Sequence, residues 1–203
     1  ALCLRALDVG EIVTACVDGA KNLTEPIIVL MLAWALGRAV GDLQAATYLI
    51  DLVGDALPST LIPTIIFLLA AAIAFATGTS FGTMAVLIPL AIPLAFAAGG
   101  PTHIVLATSA SVLAGATWGD HCSPISDTTV LSSTGTGCDL ASHVRTQLPY
   151  ALVTGILAIV CGTLPAGQGV DPWLCLAFGC IACALIMRTV GRKPDLSSLS
   201  PSA

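Results

Sequence analysis

Hydrophobic positions along this chain fall into blocks long enough to leave water altogether. A helix rises about 1.5 Å per residue, so crossing a hydrocarbon layer of roughly 30 Å takes about 20 mostly apolar residues. Residues 25–41 form the first block, closing at Gly37-Arg38-Ala39-Val40-Gly41. The next segment has another pattern. Over 43–57 the polar residues Gln44, Thr47, Asp51 and Asp55 recur every three or four positions, opposite Leu43, Ala46, Ile50, Val53 and Leu57. That predicts an amphipathic helix lying flat in the membrane interface.

Two shorter apolar blocks, 61–76 and 83–99, are joined by Thr77-Gly78-Thr79-Ser80-Phe81-Gly82. Each would be about 24–26 Å long as a helix, slightly short of a span. Short helices around a Gly/Ser/Thr joint predict a re-entrant hairpin with its tip inside the protein, because irregular backbone is not tolerated against lipid. Residues 103–118 are apolar and rich in small side chains, and a hydroxyl-rich stretch at 124–133 follows. We read 103–133 as one discontinuous span broken near its middle. Two ordinary spans, 149–165 and 171–188, close the series before a polar tail at 192–203.

Composition fixes the class. Of 203 residues, 56% are apolar and 9% charged, and the mean hydropathy is +0.96. Soluble domains carry about 25% charged residues, so too few are present to cover a water-facing surface. A soluble enzyme, a nucleic-acid binder and a disordered chain are excluded, and the uninterrupted blocks indicate helices rather than a barrel. The expected fold is an all-α polytopic protein of the cytoplasmic (inner) membrane, with lipid as a partner. The first residue is not Met, and Asp8 and Glu11 interrupt the run after Arg5, so no signal peptide is visible. We therefore expect the C-terminal part of a longer protein.

Charge adds orientation. The net charge of −5 implies no polyanionic partner. Arg145 precedes the penultimate span, whereas Arg188, Arg192 and Lys193 follow the last. The excess of basic residues on cytoplasmic loops places both groups inside, so the hairpin and the broken span enter from outside. Arg38 then falls outside, against the rule. The eight cysteines do not suggest a disulfide framework, because Cys161, Cys175, Cys180 and Cys183 lie within apolar runs and read as packing residues. Cys180-x-x-Cys183 has a redox spacing without the flanking pattern that would support it.

The chemistry is concentrated in Gly119-Asp120-His121-Cys122-Ser123-Pro124-Ile125-Ser126-Asp127-Thr128-Thr129. A charge at the bilayer centre costs roughly 2.5–3.5 kcal/mol even on lenient scales, so carboxylates there need a cation, a proton or a partner. As a polar loop, Ser123 would be the N-cap of a following helix and Pro124 its first residue. Placed inside a membrane, that cap makes a discontinuous helix, whose free carbonyls can coordinate a cation. Asp120 falls at the C-terminal end of one half, where the helix dipole disfavours its charge, and Asp127 near the start of the next, where the dipole favours it. Asp120 is thus the better proton carrier and Asp127 the better permanent cation ligand.

Thr77-Gly78-Thr79-Ser80-Phe81-Gly82-Thr83 offers hydroxyls and bare backbone, which suit a dehydrated alkali cation or one end of a small carboxylate. Gly78/Gly82, Gly37/Gly41 and Gly115/Gly119 also match a helix-packing G-x-x-x-G, a weak signal in a glycine-rich membrane chain. His121 and Cys122 lack a second His/Cys pair at ligand spacing, so no transition metal is expected. Adjacent His121, Cys122 and Ser123 cannot converge on one substrate as a triad, which argues against an enzyme.

The stretch Gly119–Thr129 resembles the signature of the NhaC-type Na+/H+ antiporters, within the wider ion-transporter superfamily. Residues 75–83, followed by Ile88-Pro89, are similar to that family's upstream motif, and Ala33-Trp34 with Leu36-Gly37 also fits. The resemblance implies secondary transport of a monovalent cation against protons, through two inverted repeats of which this chain is the second. It makes residues 1–191 a transport domain lacking its first repeat. Its candidate cation and proton ligands are Thr79, Ser80, Asp120, Ser123, Ser126, Asp127 and Thr128, with Na+ and H+ as transported ions and no cofactor. The alternative is Na+- or H+-coupled exchange of a small organic acid, of the malate/lactate type, or of an amino acid. A non-transporting scaffold and a homodimeric assembly are both left open by the sequence.

Overall fold

The computed structural model describes residues 8–22 and 58–191, with a few isolated positions between them. The expected interfacial helix at 43–57, most of the block at 25–41 and the tail at 192–203 lie outside the described residues. The regular secondary structure of the described residues is helical, with no strand among them. Four of the helices are long and apolar enough to cross a membrane, and the protein is a multi-pass membrane protein.

Helix α1 spans Val9–Asn22, an exposed amphipathic segment that the sequence reading passed over because its charges interrupt the apolar run. Glu11 Oε2 accepts the Asp8 N–H at 2.8 Å, and Lys21 pairs with Asp18 at 2.9 Å. A 3-10 turn then leads into α2, Ile62–Thr77, which ends at Gly78 in the left-handed region, φ 68°. Helix α3, Ser80–Ala97, starts immediately afterwards with Thr79 as N-cap. With the 3-10 turn, the arms of this hairpin run to 19 and 18 residues, about 28 and 27 Å. They are therefore longer than the sequence suggests, because α3 begins three residues earlier than its apolar block.

Helix α4, Thr102–Cys122, is followed after a short break by α5, Asp127–Gly135. The break does not fall near the middle of this element. Helix α4 alone has 21 residues, about 31 Å. Helix α6, Leu140–Leu157, continues through a π-helical segment, Ala158–Thr163, into the short α7, Leu164–Gly167. Leu164 N–H reaches back five residues to Ile159 O. Pro165 next to it explains the wider turn, since its ring would clash with the carbonyl four residues earlier and has no N–H to offer. The extra residue turns Thr163 towards α2, where its hydroxyl meets that of Thr64 at 3.0 Å in a buried position. Helix α8, Pro172–Val190, returns along α6, so Arg145 and Arg188 lie at the same end of that pair.

The α2–α4 pair forms the centre of the fold. Lipid chains are as apolar as Leu, so membrane helices associate through close packing rather than burial from water. Helix α4 presents Ser111, Gly115, Gly119 and Ser123, one per turn. A Cβ on Gly115 would lie against Phe67 O, and one on Gly119 against Ala71 O. One turn further, Ser123 Oγ donates to Phe75 O at 2.8 Å. Each pair keeps the same separation along the chain, so α2 and α4 run parallel. Helix α3 returns between their ends and closes the core of Ile62, Ile66, Ala70, Leu87, Ala91, Val112 and Ala116. Helix α8 lies outside this core, and its apolar side chains are exposed. Cys161, Cys175, Cys180 and Cys183 line the shallow apolar groove between it and the π-helical segment.

Candidate functional site

Because α2 and α4 are parallel, their C-terminal ends arrive at one level. The joint at 77–82 and the break at 123–126, far apart in sequence, meet there. A Cβ on Gly78 would approach Ile125 O to 2.8 Å, and Ser123 Oγ bonds Phe75 O in the last turn of α2. Phe75 O is one of the carbonyls that a helix C-terminus leaves without an intrahelical partner, and Ser123 satisfies it from the neighbouring helix. From the other side, Trp118 Nε1 donates to Ala151 O at 2.6 Å while its ring stacks on Phe67, centroids 5.9 Å apart. Gln147 Nε2 donates to His121 O, one of the free carbonyls ending α4. Helix α6 thus buttresses the end of α4.

Asp120 sits in the last turn of α4 and is 6% exposed. Its Oδ2 accepts from Thr128 Oγ1 at 3.5 Å, and Thr128 Oγ1 lies 2.7 Å from Ser126 Oγ. Its Oδ1 is enclosed and has no hydrogen-bond partner among the described residues. No basic side chain among the described residues forms an ion pair with it. Leaving a carboxylate oxygen enclosed and unmatched is costly, and the cost disappears when a proton or a cation occupies it.

The other candidates are sorted by the fold. Ser126 is fully enclosed, and its carbonyl accepts Val130 N–H at 2.9 Å, so Ser126 stands at the N-cap position of α5. Ser123 does not stand at the N-cap of the following helix, as the sequence suggests: it ends α4, its N–H bonding Asp120 O at 3.0 Å and its Oγ accepting Ile125 N–H at 3.4 Å within the break, and α5 starts only at Asp127. Pro124 accordingly lies in the break rather than in the helix. Asp127 occupies the first turn of α5 and is exposed. Thr79 caps α3, its Oγ1 accepting Gly82 N–H at 3.3 Å, and Ser80 is the first residue of that helix. The structure therefore links Asp120, Ser126 and Thr128 directly, ties Ser123 to α2, and gives Thr79 a capping duty.

Sequence reasoning missed the backbone groups of Phe75 and Ile125 and the buttress of Trp118 and Gln147. A signal for the first was present. Gly115/Gly119, weak as an isolated match, belongs to the longer small-residue series from Ser111 to Ser123 that sets the two breaks side by side.

Residues 2–164 match the Na+/H+ antiporter family. An uncharacterized protein of Haemophilus influenzae is 46% identical over 147 residues, covering 72% of this chain and 28% of its own. The malate-2H+/Na+-lactate antiporter of Bacillus subtilis is 32% identical over 170 residues, 79% of this chain and 35% of its own. The Na+/H+ antiporter NhaC of the same organism is 32% identical over 157 residues, 72% of this chain and 33% of its own. The chain thus spans about a third of the length of these relatives. No solved structure matches. By the extent of the family match, this chain belongs to the Na+/H+ antiporter family.

Proposed function

We propose that the protein of which this chain is part exchanges Na+ for H+ across the cytoplasmic membrane, with Asp120 as the group that the two ions occupy in turn. The observation that carries the reading is the enclosed, unpartnered Oδ1 of Asp120 in the last turn of α4, next to the break at 123–126. A proton or a dehydrated cation stabilises this carboxylate, and each displaces the other because both neutralise the same charge. That competition is the minimal requirement for coupled antiport. Carbonyl-rich helix breaks replacing the hydration shell of an alkali ion follow the same logic as other discontinuous transporter helices.

The test is proton flux in proteoliposomes containing the full-length transporter, triggered by Na+, with Asp120→Asn and Asp127→Asn alongside. Flux on Na+ alone that disappears in Asp120→Asn supports the reading. Wild-type flux in Asp120→Asn overturns it.

A second reading has its own support. A relative of equal identity is named for exchanging malate and protons against Na+ and lactate, so a small carboxylate could accompany the cation. Arg38, the one Lys or Arg between 25 and 133, is exposed. Proton flux that starts only when malate, lactate or an amino acid is added selects this exchanger instead.

A further inference from the structure

We propose that protons reach Asp120 through the hydroxyl of Thr128, held in line by Ser126, whereas the transported cation is taken by the opposite carboxylate oxygen. The inference rests on the exchange reading above and assigns its two ions to different atoms of one side chain.

The hydrogen bonds have a direction. Asp120 Oδ2, on an ionised carboxylate, can only accept, so Thr128 Oγ1 donates to it across 3.5 Å. The Thr128 hydroxyl has a single hydrogen, already committed, and its 2.7 Å contact with Ser126 Oγ must then be donated by Ser126. The order Ser126 to Thr128 to Asp120 follows. Burial distinguishes its members. Asp120 and Ser126 are enclosed, but Thr128 is exposed. Thr128 is thus the member of the chain that meets both the carboxylate and the space outside the α2–α4 core.

Such a hydroxyl can pass a proton once it closes from 3.5 Å to a reach of about 2.6–3.2 Å. Its O–H bond breaks as the hydrogen passes to Asp120 Oδ2, and a new O–H bond forms as its oxygen takes a proton from a hydronium on the exposed side. The carboxylate becomes a carboxylic acid, the hydronium becomes water, and the threonine is unchanged. Proton release runs the same steps backwards. Oδ1 has no such connection among the described residues. It is the oxygen left free for direct ligation, and a cation arriving there needs no donor between itself and the carboxylate.

The experiment uses the full-length transporter in proteoliposomes and compares Na+-driven proton flux with exchange of radiolabelled Na+ for Na+, which needs no proton. Thr128→Val keeps the shape of the side chain and removes the hydroxyl, while Thr128→Ser keeps the hydroxyl. We expect Thr128→Val to lower proton flux by about tenfold or more, and Na+/Na+ exchange by a much smaller factor. Thr128→Ser should stay within about twofold of wild type in proton flux and should be slowed by D2O as wild type is. Equal loss of both exchanges in Thr128→Val would make Thr128 a cation ligand or a structural support and overturn the relay. So would undiminished proton flux in that variant. Asp120→Asn separates the two readings: if it impairs neither exchange, the carrier assignment itself fails, whereas loss of both with normal flux in Thr128→Val removes the relay alone.

Discussion

Replacing Gly119 with Ala should pull the two helix breaks apart. The added Cβ would lie 2.8 Å from both Cα and carbonyl C of Ala71, and nearer still to its oxygen. Carbon atoms rest at about 3.5–4.0 Å, and neither neighbour is a flexible side chain that could turn away. Helix α2 must therefore retreat by about 1 Å. Overpacking of this kind costs about 1–3 kcal/mol. The retreat also stretches the 2.8 Å bond from Ser123 Oγ to Phe75 O beyond useful length, adding about 0.5–1.5 kcal/mol. The total is roughly 1.5–4.5 kcal/mol. Thermal unfolding of the full-length protein in detergent should show a lowered midpoint, with reduced Na+-driven proton flux in vesicles. Gly162→Ala is the control, since a Cβ there meets nothing within 4 Å. A Gly119→Ala protein that melts and transports like wild type, or a Gly162→Ala protein equally destabilised, would refute the close parallel packing of α2 and α4.

Gly78→Ala combines a left-handed φ of 68° with a Cβ only 2.8 Å from Ile125 O. It should cost more than Gly137→Ala, where φ is 66° and the space is open; the φ penalty alone is about 1–2 kcal/mol, and the difference in melting midpoint measures the contact between the breaks. Ser123→Ala leaves Phe75 O unpaired and should lower stability by about 0.5–1.5 kcal/mol, read as a smaller thermal shift than Gly119→Ala together with slowed proton flux. Trp118→Phe keeps an aromatic ring against Phe67 but loses the donor to Ala151 O. Its expected loss of about 0.5–1.5 kcal/mol should stay well below the roughly 3–5 kcal/mol of Trp118→Ala, as compared by denaturation of the two variants.

Much of this architecture is legible in the sequence because the relevant physics is one-dimensional. Apolar block length predicts the spans, and the Gly/Ser/Thr joint and the polar run at 119–129 mark both breaks. Helix ends are set by local chemistry that composition blurs. The α3 start at Ser80 depends on Thr79 capping Gly82 N–H, and the late start of α5 goes with Ser123 bonding back to Asp120 O, across to Phe75 O and forward only as far as Ile125 N–H within the break. Tertiary pairing is less legible still. Nothing in either motif alone says that the two meet. That follows from the small-residue face of α4, which has meaning only once the carbonyls of α2 lie against it.

The parallel pairing also bears on which substrate the site suits. Two helix C-termini, each equivalent to about half a negative charge, end beside the Asp120 carboxylate, and the described basic residues form no ion pair with it. Two helix N-termini start at the same level and could in principle hold an anion. Each is already answered by its own chain. Thr79 Oγ1 accepts an N–H at the start of α3, and Asp127 brings a carboxylate to the first turn of α5. A carboxylate substrate approaching these ends would meet a capped helix at one and a like charge at the other. A cation meets unpaired Oδ1 and carbonyl-rich helix ends, with its charge complementing all of them. The local electrostatics therefore favour a cation over an anion beside Asp120. An organic acid would have to find its positive partner on segments beyond the described helices.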